Sequence, residues 1–172
     1  MPVTDLLTAV KLGGINCLIS GTWLLLILRI YPRLFLRHFP AEVRAVVPPL
    51  STRERRLGLL AGFPFLIALI GFPAWAAYQV KNVGSGDLGV WRLSLIAFVT
   101  WSILNLFDWL IIDELILGIA HRTRASWLIL PGTEAVPLRH DHAYHALGFV
   151  KGTIGGAFVS LLIGVAIAAW PL

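Results

Sequence analysis

Residues 101–119 read WSILNLFDWLIIDELILGI, and the fold turns on how this stretch is placed. It lies in an apolar run long enough to cross a bilayer, yet it carries Asn105, Asp108, Asp113 and Glu114. A carboxylate near the bilayer centre costs roughly 2.5–3.5 kcal/mol on insertion scales, so acids in such a run face protein or water and often mark function.

The rest of the chain agrees with a membrane setting. Of 172 residues, 58% are hydrophobic and only 13% charged, and the mean hydropathy is +0.81. A soluble domain carries about 25% charged residues and cannot hide so much apolar surface. The net charge of +5 does not point to nucleic acid, because the arginines gather in two segments between apolar runs, which is a topology signal.

Four apolar segments, at about 6–30, 57–78, 90–120 and 146–170, predict an all-α polytopic membrane protein, a four-helix antiparallel bundle forming one membrane domain over 1–172. Arg-rich connections occupy 31–56 and 121–145, and a short glycine-rich turn joins the second and third runs. Both basic connections fall on one side of the bilayer. The positive-inside rule makes that side cytoplasmic, with both termini on the other, and the expected location is a cell (inner or plasma) membrane. Asp5 and the lack of a basic leader make the first run a retained span. A single cysteine, Cys17, excludes an internal disulfide and reads as a packing residue.

Local signals mark the helices. Ser51-Thr52-Arg53-Glu54 has the spacing of a capping box ahead of the second span, and Pro64 and Pro73 predict bends within it. Gly13, Cys17 and Gly21 form a small-residue stripe on the first span. On the fourth, Gly148, Gly152, Gly156, Ser160 and Gly164 make a ridge at four-residue spacing, a strong helix-packing signal. A ridge left uncovered would suit a homo-oligomer, and the expected partners are the lipid bilayer and either further copies or the subunits of a membrane complex.

On an ideal α-helix Asp113 lies about 140° and Glu114 about 240° round from Asp108, so the three acids are not expected to share one face. Counting at 1.5 Å per residue places Asp108 about 26 Å from the Trp91 end and Lys151 about 28 Å from the Trp170 end. The expectation is a buried polar site of Asp108 paired with Lys151, with Asn105 nearby. His140, His142 and His145 form a second constellation, which could hold a divalent metal if joined by Asp113 or Glu114. No H-E-x-x-H or Cys–His zinc pattern occurs. Arg139-His140 with Tyr144, ahead of the last span, partly resembles the Arg-His-Pro-x-Tyr motif of membrane isoprenylcysteine and phospholipid methyltransferases. The proline is absent, the tyrosine falls one place late and no downstream acidic motif follows, so no family is assigned.

Two functions remain open on these residues. The first expectation is a non-enzymatic accessory subunit or an oligomeric transporter built on the Asp108/Lys151 site. The alternative is a membrane-embedded, metal-dependent enzyme that uses the histidines with Asp113 and Glu114 on a lipid-soluble substrate.

Overall fold

The computed structural model describes residues 2–84 and 88–171, so residues 85–87 of the glycine-rich turn lie outside the described part. The chain is an all-α polytopic membrane protein. Four helical stretches are long and apolar enough to span a bilayer: Val3–Ile30, Thr52–Val83, Val90–Arg122 and His142–Ala169. In chain order the helices are α1 (Val3–Ile30), a short α2 (Ala41–Val46), α3 (Thr52–Val83), α4 (Val90–Phe107), α5 (Gly118–Arg122) and α6 (His142–Ala169). Between α4 and α5 the backbone does not break but widens into a π-helical stretch, Asp108–Leu117.

The capping box opens α3 as its spacing predicts. Glu54 N donates to Ser51 Oγ at 3.2 Å, and Ser51 N donates to the Glu54 carboxylate at 2.7 Å. Because the cap sits at Ser51, α3 starts five residues before the apolar run and covers both Pro64 and Pro73. At the opposite end of the bundle, Lys81 Nζ donates to the carbonyls of Ile167, Ala168 and Trp170 at 2.6–3.0 Å. These carbonyls lie at the C-terminus of α6, where a cation is favoured. Arg92 and Asp5, 2.7 Å apart, tie the starts of α4 and α1 together at the same end.

α4 is the axis of the bundle, and the small-residue stripes on its neighbours are shaped to receive it. A Cβ at Gly13 would lie 2.9 Å from Ile103, and one at Gly21 would strike Phe107. On α6, Cβ atoms at Gly152, Gly156 and Gly164 would strike Asn105, Trp101 and Ser94 respectively. Ser160, between the last two, is buried. Lipid gives helices no hydrophobic reason to associate, so close packing and interhelical hydrogen bonds must hold them. Both are present: Trp101 Nε1 donates to the Gly152 carbonyl at 3.0 Å, and Asn105 Nδ2 donates to the Phe149 carbonyl and to Thr153 Oγ1. From Gly152 to Gly164 the ridge is therefore covered by α4 of its own chain. Gly148 departs from this pattern: nothing lies within 4 Å of a Cβ built there.

The bundle has two apolar cores. One, around Ala9, Ala76, Leu93, Ile96 and Ile163, lies at the end carrying the Lys81 and Arg92 contacts. The other forms where the two Arg-rich connections meet, from Leu28, Leu36, Phe39, Val43, Leu128 and Leu130. The connections are thus folded against each other, and Arg33 holds the first of them to α3 through Glu54 and the Pro48 carbonyl.

Gly156→Leu should overpack the α4–α6 seam and cost about 1–3 kcal/mol. Gly155→Leu, whose Cβ meets no neighbour, should change stability by less than about 0.5 kcal/mol. Unfolding of the two purified variants in detergent, followed by circular dichroism, separates the outcomes.

Candidate functional site

The π-helical stretch brings the acids to one end of the bundle. Hydrogen bonds from i to i+5 widen the turn, so residues five apart come close to one face. Asp113 accordingly joins Asp108 on the wall of one cavity, where an α-helix would have turned it well away. Glu114, next in sequence, points to the neighbouring side. The expected separation of Asp108 from Asp113 is corrected by this change of helical period, while Glu114 is not on that wall among the described residues.

The histidines arrive from the start of α6. Asp141 caps that helix, accepting from Tyr144 N at 3.0 Å, so His140 stands before the first turn and is free of helical geometry. It folds back on the π segment, with its side chain only 6% exposed. His140 Nε2 lies 3.3 Å and His142 Nδ1 2.5 Å from Glu114 Oε2. His145, one turn further on, is buried and places Nδ1 2.9 Å from Asp113 Oδ2. The rings of His140 and His145 stack at 4.8 Å with 10° between their planes, which joins the two acid–histidine pairs into one cluster. Burial, followed by the neighbouring His145, pushes the His140 pKa below its ordinary value and favours the neutral imidazole that ligates metals.

Two further residues belong to the cluster. Buried His121, on α5, sets its Nδ1 3.3 Å from His140 Nδ1. It follows Glu114 by seven residues, a two-turn spacing that marks one helix face. That signal is readable in the sequence, although His121 sits at the edge of a basic connection. His38, in the turn of 3₁₀-helix Pro32–His38, faces the Tyr144 hydroxyl at 3.3 Å. It lies 106 residues away along the chain, and nothing in the local sequence announces the contact.

The expected Asp108–Lys151 ion pair does not form: no salt bridge joins them among the described residues. Both line the cavity, and Lys151 is exposed. Equal depth along two helices does not determine which way their side chains face. The polar contact that α4 makes with α6 at this level belongs to Asn105, whose side chain fills the notch at Gly152.

The cavity has a volume of about 820 Å³, within the range of small-molecule sites. Its long walls are apolar, from Leu24 and Leu28 of α1 and Phe65 of α3, and the Asp113–His145 pair and His121 stand at its Arg-rich end. Glu114, His140 and His142 each offer one ligand atom, and the three atoms lie within 4.8 Å of one another. Two histidines and one carboxylate match the ligand chemistry of catalytic zinc sites, in which three protein ligands leave a position for water.

His145→Ala, which leaves the Asp113 carboxylate without its buried partner, should cost about 1–3 kcal/mol. His142→Ala, with a side chain 71% exposed, should stay within about 0.5 kcal/mol of wild type. Denaturant titration of both variants checks the ranking. Compared with protein-family models, curated proteins and solved structures, the chain finds no match in any of the three.

Proposed function

We propose that the chain is a membrane-embedded, metal-dependent enzyme that acts on a lipid-soluble substrate at the Arg-rich end of the bundle. The observation that carries this reading is the convergence of Glu114, His140 and His142 directly behind a cavity wall holding Asp113 and His145. In this reading Glu114, His140 and His142 would hold a divalent ion, which would supply Lewis-acid activation of water. The Asp113–His145 pair, in which the carboxylate orients the imidazole, takes up the proton and returns it to the leaving group. His121, 3.3 Å from His140 Nδ1, would fix the tautomer and orientation of that ring as a metal ligand. By the positive-inside rule this end is cytoplasmic, with both termini on the other side of a cell membrane.

A second reading, transport of a proton or small ion, draws on Asp108. It faces the cavity without a hydrogen-bond partner among the described residues, and acids in such positions are found along ion pathways. Four helices are few to enclose a path, so transport would call for an oligomer. Flux into proteoliposomes that disappears in Asp108→Asn would favour this reading over the enzyme. The accessory-subunit reading has no comparable feature of the site in its support.

Elemental analysis of detergent-purified protein should find about one zinc, manganese or iron per chain. Occupancy should vanish in a Glu114→Gln/His140→Ala/His142→Ala variant. His121→Ala should keep the site but weaken it roughly 10- to 100-fold. A wild-type protein that binds no ion under metal-replete conditions would overturn the enzyme reading.

A further inference from the structure

The shape and charge of the cavity specify a ligand more narrowly than "lipid-soluble". The buried residues of α3 all fall in its far third, Pro73, Ala76, Ala77, Val80 and Lys81, and nearer the Arg-rich end it is tied to α1 where Trp23 Nε1 donates to the Ala61 carbonyl at 2.8 Å. Towards the Arg-rich end it is separated from α6: Leu59 is 76% exposed, and the cavity occupies the space between residues 54–65 of α3 and residues 144–151 of α6. Gly62 and Gly148 face each other's helices across this space, and a Cβ at either meets nothing within 4 Å. Two glycines on opposing walls leave the space between them open.

The polar groups of the cavity are unevenly paired. Arg37 and Arg55 each use Nε on a neutral acceptor, His38 and the Leu50 carbonyl, and neither meets a carboxylate among the described residues. Lys151 also lacks an acidic partner among them. Of the acids on the wall, Glu54 is held by Arg33 and Asp113 by His145, which leaves Asp108 alone. Three unpaired cations against one unpaired acid give the chamber an excess of positive charge. Trp109 adds a buried indole N–H that has no acceptor among the described residues, on a ring stacked against Phe149 at 4.6 Å. Buried donors of this kind are rarely left unsatisfied.

We infer that this cavity is a chamber for a single-chain amphiphile with a phosphate head. The chain lies in the space past Gly62 and Gly148, and the head sits among Arg37, Arg55 and the Asp113–His145 pair. Guanidinium forks match phosphate geometry, and the α3–α6 gap lets such a molecule arrive sideways from the bilayer. The inference rests on the enzyme reading for its catalytic meaning but concerns binding, which can be measured separately.

The experiment uses full-length protein in nanodiscs of neutral lipid, titrated by calorimetry with dodecyl phosphate. Dodecyl maltoside and inorganic phosphate serve as comparison ligands. Dodecyl phosphate should bind saturably, with the maltoside and inorganic phosphate at least about tenfold weaker, since each carries only half of what the chamber recognises. Arg37→Ala/Arg55→Ala should weaken binding of dodecyl phosphate about tenfold or more. Gly62→Trp should abolish it, because a Cβ at Gly62 meets nothing within 4 Å among the described residues and the indole beyond it would occupy the space the chain takes. Metal content and elution volume of each variant report whether the fold and the ion site survive. Equal binding of the maltoside, equal binding of free phosphate, or full binding in a correctly folded Gly62→Trp protein would each overturn the chamber. Phosphate-amphiphile binding by a protein without metal keeps the chamber and removes the enzyme reading, and a loaded metal site with no binding does the reverse.

Discussion

The structure depends on large side chains of α4 seated in glycine notches of its neighbours. Trp101 and Asn105 enter α6 at Gly156 and Gly152, and Ile103 and Phe107 enter α1 at Gly13 and Gly21. In water such seams are drawn together by apolar burial. In lipid the surrounding chains are as apolar as leucine, so shape and hydrogen bonding must supply the attraction. Asn105 contributes both, since it fills a notch and donates to a backbone carbonyl and a hydroxyl on α6.

That constraint carries through to the candidate site. With Asn105 and Phe107 locked against α6 and α1, the next residue begins the π-helical stretch, which projects Asp108 and Asp113 into the cavity and Glu114 towards His140 and His142. π-helical turns within α-helices are frequently found at functional sites, because the extra residue per turn redirects side chains without ending the helix. The histidine side is built by the opposite device. Asp141 starts α6 sharply, so His140 bends back while His142 and His145 follow helical spacing. The two Arg-rich connections then close the end of the bundle with an apolar core of their own, and this second core brings His38 to Tyr144.

Much of this was legible beforehand. The four spans, the Ser51–Glu54 cap and the residue types of the polar cluster all follow from local rules of hydropathy and side-chain reach. The Asp108–Lys151 pair was not, because equal depth on two helices says nothing about rotation about their axes. The sharing of one wall by Asp108 and Asp113 was missed for a related reason. Helical wheels assume a constant period, and the period changes at Asp108 itself. His121 left a readable trace, its seven-residue spacing from Glu114, whereas His38 left none.

By itself the sequence determined that this is an all-helical membrane protein, because the transfer of long apolar runs into lipid and the internal satisfaction of their backbones leave few alternatives. It also determined which residues had to be sheltered, since acids and imidazoles inside or beside such runs need partners. Only the tertiary structure decided which partners those are. The rotation of α4 is set by its glycine contacts on both sides, and the π-helical widening then aims the carboxylates. Contacts between residues as distant as His38 and Tyr144 depend on how separate elements pack, which local sequence does not encode.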